Sequence, residues 1–281
     1  MTKRSRLKSL APTALTYLGL AVGLVYAGFP ILWMLFASLK SNTEIFELPP
    51  RLLPRHFTLE AYFTIFADPI KVRFFVNSYL VSGVVTLLTV LIAILSAYAF
   101  SRYSFRFKAL LNVFVISTQT VPPITLLIPY FGMVVAFRIF DTYYALILTY
   151  MVFTLPYAIL LMTGYLNTLP KELDEAVLVD GGSSWTALWR VLVPISIPGI
   201  VATAVYTFLL AWNEFLFALT LTKSMEMRTV PIGIELLMGQ HAYEWNQMMA
   251  MSVLGSLPLL VLFLLAQRYF LAGMTAGSVK A

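Results

Sequence analysis

Long uncharged apolar stretches recur along this 281-residue chain, with polar segments between them. A run of about 20 such residues is long enough to cross a bilayer as a helix, which satisfies its own backbone in lipid. Composition agrees, with 60% hydrophobic and 11% charged residues against about 25% charged in soluble domains. The expected fold is therefore all-α, a polytopic integral membrane protein forming one transmembrane domain over residues 1–281. Six spans are expected at about 13–38, 76–100, 109–137, 143–166, 195–212 and 248–271, the third interrupted at Pro122-Pro123 and Pro129. Lys3, Arg4, Arg6 and Lys8 precede the first run, which exceeds the short core of a cleaved signal peptide and reads as an uncleaved helix.

Basic residues in short connections set the expected orientation. Arg102, Arg106 and Lys108 crowd the 101–108 connection with no acid, whereas 138–142 carries one base and one acid. Both termini and the 169–194 segment are thus expected in the cytoplasm, with the longer 40–75 and 213–247 segments outside. The net charge of +6 has this topological origin, so no nucleic-acid partner is expected. The chain has no cysteine, and His56 and His241 stand far apart, both expected in loops, so neither disulfide nor metal site is expected.

The 169–194 segment is more than a connector. Four of the 13 acidic residues (Glu172, Asp174, Glu175 and Asp180) fall there within nine positions. Pro170 suits a first helical turn, and Glu172, Asp174 and Glu175 would sit at the positive end of the helix dipole. Helical spacing groups Leu173, Ala176, Val177 and Asp180 on one face and Glu172, Glu175 and Val179 on another. Gly181-Gly182 can reverse the chain, and Ser183 or Ser184 can cap a second short helix, with Pro194 and Pro198 marking re-entry. The expectation is a helix–turn–helix docking surface outside the bilayer.

Glu175-Ala176-Val177, Asp180-Gly181-Gly182, Leu188, Val191 and Pro194 together resemble the EAA loop of bacterial ABC importer permeases. That loop follows E-A-A-x-x-D-G-A, an aromatic and a terminal L-P. Here Val177 replaces the second alanine, Gly182 the alanine after D-G, and Leu188 the usual phenylalanine. The stretches 211–219, 244–247 and 267–280 are similar to the carbohydrate-uptake, maltose-type members. The resemblance implies a type I importer permease paired with a second homologous permease, a cytoplasmic ABC ATPase dimer and an extracytoplasmic solute-binding protein. It would sit in a prokaryotic plasma membrane and work by alternating access as part of a heterotetramer. Glu175, Ala176, Asp180, Gly181, Gly182, Leu188 and Pro194 are the implied ATPase-coupling residues, with Glu175 projecting into a groove of the ATPase. ATP and Mg would be bound by that partner. Cargo would be sugars or oligosaccharides, with glycerol phosphates or polyols as the alternative.

Independent observations point the same way. No G-x-x-x-x-G-K-[ST] loop is present, so energy from ATP must come from another chain. The expected span centres hold no Asp, Glu, Lys, Arg or His, which disfavours an ion-coupled carrier. No constellation of acids and histidines suggests an enzyme. For a substrate path, Gln119 and Thr120 lie beside the Pro122-Pro123 break, reading equally as cavity lining or as interhelical hydrogen bonding. Asn77, Tyr150, Tyr206 and Asn213 are further candidates.

Overall fold

The computed structural model describes residues 3–239 and 244–276, with side chains over 15–239 and 244–269. His241 and the last five residues lie outside the described residues. Four helices are long and apolar enough to cross a membrane: Leu15–Ser38 within the helix Lys3–Ser38, then Pro69–Arg102, Tyr143–Leu166, and Trp245–Tyr269 within Trp245–Ala276. Two further crossings exist only as bent pairs, Lys108–Thr118 with Pro123–Ala136 at 97°, and Ser184–Ile195 with Ile197–Trp212 at 77°. The described residues thus provide four to six spans and contain no strand.

In the run expected over 109–137, the interruption at Pro122-Pro123 is this 97° bend, whereas Pro129 lies inside the helix Leu127–Ala136. Pro122 lacks an N–H, disfavours helix at Val121, and sits in extended backbone at φ −61°, ψ 129°. The run expected over 195–212 breaks at Ser196, two residues before Pro198 in the first turn of Ile197–Trp212.

The residues form two compact units, Met1–Asp68 with Ile234–Leu254, and Pro69–Gly233 with Gly255–Ala281. In the first, the 40–68 segment is fastened onto itself. Lys40 Nζ donates to the Arg51 carbonyl, Ser38 Oγ meets Tyr62 Oη at 2.7 Å, and Glu44 Oε1 accepts the Arg55 N–H.

In the second unit, Pro69–Arg102 packs along Tyr143–Leu166, and Ile197–Trp212 packs on both. Small residues at the contact (Ala93, Ala97 and Ala158) bring the backbones close, as apolar helices without a hydrophobic drive between them require. A buried Thr89–Thr154 hydroxyl pair at 3.1 Å links two of these helices, and Trp212 Nε1 donates to the Gly255 carbonyl.

At the Asn77 end of this unit, the 222–230 connection is pinned by side chains. Asn77 Nδ2 donates to the carbonyls of Glu226 and Arg228 at 2.7 and 2.8 Å, while its Oδ1 accepts from Tyr143 Oη. Ser78 Oγ accepts the Val230 N–H, and the Asp141 carboxylate accepts the N–H groups of Lys223 and Ser224. Burial pushes the Asp141 carboxyl upward, but these hydrogen bonds outweigh it and hold the group below its ordinary range.

Candidate functional site

Two places in the second unit carry chemistry. The first is the segment at the Arg102 end. A helix, Glu172–Val179, starts with Glu172, Asp174 and Glu175 in its first turn, where the dipole favours acids. It starts two residues beyond Pro170, with Lys171 as cap. Its end is a Schellman turn: Gly182 N–H donates to the Val177 carbonyl at 2.9 Å and Gly181 N–H to the Leu178 carbonyl at 3.1 Å. Gly181 takes φ +80°, open to glycine at little cost. Ser183 Oγ then accepts the Thr186 N–H and caps Ser184–Thr186, which widens into a π-helical stretch, Ala187–Leu192.

Gly182 has a different reason. A Cβ there would lie 2.6 Å from Val177 Cγ1 and 2.9 Å from the Val177 carbonyl oxygen. The two departures from the E-A-A-x-x-D-G-A pattern therefore compensate: the larger Val177 occupies the space that an alanine at 182 would need.

Spacing grouped residues by face without saying which face turns inward. Asp174 is the buried residue of this helix, Leu173 and Val177 are half-buried, and Ala176 and Asp180 are exposed. Arg102 selects Asp174. Its Nε donates to Asp174 Oδ2 at 2.7 Å, and its terminal nitrogens reach the carbonyls of Leu166 and Leu169, each at 3.2 Å, and Pro170 at 3.4 Å. Both side chains are nearly covered, 7% and 12% exposed.

Among the coupling candidates, Glu175, Ala176, Asp180, Gly181 and Pro194 lie at the surface and Gly182 is half-buried. Leu188 is only 1% exposed and packs with Leu192, Met162 and Leu166 in the core, so it cannot meet another protein directly. Beside the acids stand two exposed apolar residues, Val179 at 86% and Trp185 at 63%. Trp185 packs edge-on against Trp189. An exposed apolar patch next to acids is what a protein interface requires.

The second place is a cavity of about 590 Å³ between the bent pair, Tyr143–Leu166 and the end of Ile197–Trp212. One side is aromatic, where Tyr130, Phe153 and Phe217 meet at ring distances of 4.8 to 5.9 Å. The polar side chains of the lining include Gln119, Tyr150 and Glu214, with Thr118, Thr154 and Tyr157. Glu214 uses both carboxylate oxygens to accept the N–H groups of Phe217 and Ala218, capping the helix Leu216–Leu221. Burial pushes its carboxyl above the ordinary range, and those N–H groups pull the other way. Gln119 Nε2 is buried without a hydrogen-bond partner, and the buried Tyr150 hydroxyl faces the Glu214 carboxylate. Buried polar atoms in folded proteins are nearly always satisfied, so the Gln119 amide is available to a visitor.

The other path candidates are placed elsewhere. Asn77 is fully engaged in fastening the 222–230 connection. Thr120 is exposed at the break, Asn213 turns back to the Leu209 carbonyl, and Tyr206 stands behind Tyr157, 5.7 Å between rings. Glu214 was legible only as an acid at a span end, and the burial of Asp174 left no signal in local spacing. No group of His, Cys, Asp or Glu among the described residues could hold a metal.

A bundle of spanning and broken helices, a polar-and-aromatic cavity and an acidic knuckle fused to the span ends define a membrane permease subunit. Residues 89–275 match the family described as binding-protein-dependent transport system inner membrane component, and the chain belongs to that family, whose members are importer components and not enzymes. Similar proteins include the inner membrane ABC transporter permease protein YcjP of Escherichia coli strain K12, 37% identical, covering 94% of this chain and 95% of that protein. The trehalose/maltose transport system permease protein MalG of Thermococcus litoralis is 36% identical, with 90% and 91% covered. The sulfoquinovosyl glycerol transport system permease protein SmoH of Agrobacterium fabrum is 35% identical, with 95% and 93% covered. A crystal structure of a bacterial ABC transporter involved in the import of alginate has the same fold. It superposes with a TM-score of 0.79 at 18% identity, covering 96% of this chain and 99% of that one. The protein is thus a multi-pass membrane component of the ABC importer permease fold.

Proposed function

We propose that this chain is one of two permeases in an ATP-driven importer of sugars or oligosaccharides. Its cytoplasmic knuckle engages a separate ATPase, which binds the ATP and Mg, and its outward segments receive a solute-binding protein. Both termini lie on the ATPase side of a prokaryotic plasma membrane. The observation that carries this reading is the knuckle itself: Glu175, Val179 and Trp185 are exposed together on a segment whose inward residues are locked to the span ends. Apolar side chains exposed beside acids on such a segment suit a protein partner.

Cargo follows from the cavity. Aromatic faces together with an unsatisfied amide and hydroxyl groups in the lining suit a molecule with an apolar ring face and a hydroxylated edge. The relatives named for trehalose, maltose and sulfoquinovosyl glycerol support a carbohydrate. No Lys, Arg or His lines this wall, which favours uncharged hydroxylated cargo over glycerol phosphates. Alternating access would expose this wall to each side in turn.

Affinity purification of the tagged permease tests the motor connection. The wild-type chain should bring down a Walker-motif ATPase, and Glu175→Ala with Trp185→Ala should lose it. Retention of the ATPase by that variant, with undiminished ATP-driven uptake, would overturn the reading.

A further inference from the structure

We propose that Arg102 is a positioning residue for coupling: it binds the helix Glu172–Val179 and two span ends into one mechanical body. This rests on the coupling reading above and adds how displacement of the knuckle reaches the spans.

Four pieces of chain converge on one guanidinium. Arg102 ends the span Pro69–Arg102; it holds the Leu166 carbonyl at the end of Tyr143–Leu166, the Leu169 and Pro170 carbonyls of the connecting turn, and the Asp174 carboxylate in the first turn of the knuckle helix. Arginine suits this place because its planar fork presents five donors at fixed angles, whereas a lysine ammonium offers three on a flexible stem. A cation is also favoured beside the C-terminal carbonyls of one helix and the acid-bearing N-terminus of the next.

The helix meets the spans further through the Tyr98 hydroxyl, which lies beside Asp174, and through apolar contact. Leu173 packs against the cluster of Tyr98, Leu166, Leu188 and Leu192. Apolar contact is non-directional, so alone it lets a short helix roll or slide. The 2.7 Å ion pair fixes the rotation about the helix axis. It points Asp174 inward, and Glu175, one position on, faces outward. The carboxylate is tied through Oδ2 to Arg102, with the Tyr98 hydroxyl of the same span as a second polar neighbour. Without that tie, a push on the exposed face can be absorbed at the Gly181 turn.

The chain has no native cysteine, so spin labels can be placed at will. Labels at Val179→Cys on the knuckle and Tyr144→Cys at the far end of Tyr143–Leu166 are both on exposed side chains. The permease is assembled with its partner permease and ATPase in lipid, and the label–label distance is measured without nucleotide and after trapping with ATP and vanadate. With Arg102 and Asp174 present, one narrow distribution should persist in both states, because knuckle and span move together. In Arg102→Met/Asp174→Leu, which replaces a buried pair by apolar side chains and so spares the fold, trapping should broaden or shift it.

A narrow, unchanged distribution in that variant overturns the proposal, as does broadening on trapping with the pair intact. If the double variant does not assemble, Asp174→Asn is read by the same criterion. A purely structural role predicts lower yield with no state-dependent broadening. Glu175→Ala separates the two readings. Normal ATPase co-purification there sinks the docking surface itself; loss of the ATPase there, with distances indifferent to Arg102, sinks only the brace.

Discussion

The Arg102 cluster and the cavity wall are both polar sites in an apolar bundle, and they use their donors differently. At Arg102 the donors reach a carboxylate and three carbonyls, and the ends of two spans meet there. Along the cavity, Gln119 Nε2 is left without a partner, and the Tyr150 hydroxyl faces Glu214, whose oxygens already cap a helix. Satisfied buried groups rigidify, whereas unsatisfied ones cost stability until something binds. Under the proposed function, the contrast separates a part that would transmit force from a part that would accept and release cargo.

Substitutions at the two places should therefore have opposite signs. The largest loss is expected for Arg102→Met, which strands the Asp174 carboxylate: about 3–5 kcal/mol of stability, read as a lower unfolding temperature in detergent. Asn77→Ala comes next. It leaves two carbonyls and the Tyr143 hydroxyl without their partner, at a cost of about 2 kcal/mol, and hydrogen exchange should quicken in the 222–230 connection first.

Gly182→Ala should cost about 1–2 kcal/mol by overpacking against Val177. Adding Val177→Ala should recover part of that loss, so the pair is non-additive in a double-mutant cycle of thermal unfolding. The smallest effect belongs to Tyr150→Phe. Glu214, the polar neighbour of that hydroxyl, already accepts two backbone N–H groups, so removing the hydroxyl should leave stability unchanged or raise it by up to about 1 kcal/mol, while uptake of the cargo delivered by the solute-binding protein falls. Should Tyr150→Phe destabilise the fold, the contrast between the two sites would be wrong at the cavity. A full-stability Arg102→Met would break it at the other end.

Much of the fold was legible because lipid imposes a one-dimensional rule. Apolar length announces a span, and Pro122-Pro123 announced the weak point of the third. What proline could not announce was the 97° bend, which depends on what the two halves pack against. The knuckle was legible for a local reason. Its acids, its Gly181 turn and its Ser183 cap all act within a few residues of themselves.

The cavity was half legible. Gln119 was marked by its place beside the break, whereas Asn77, equally polar and equally intramembrane by sequence, turned out to be a fastener. Local sequence holds no sign that Asn77 meets Glu226, which lies 149 positions away.

By itself, then, the sequence determined a membrane bundle, its helical runs, a polar knuckle, and a need for an outside source of energy. The tertiary structure decided which of three neighbouring acids faces the spans, which polar side chains are satisfied, and where a cavity opens. Periodicity places Asp174 and Glu175 about 100° apart on one helix but cannot say which direction is inward. Arg102, 72 positions earlier, makes that choice, because a buried carboxylate is tolerable only where a fixed cation meets it.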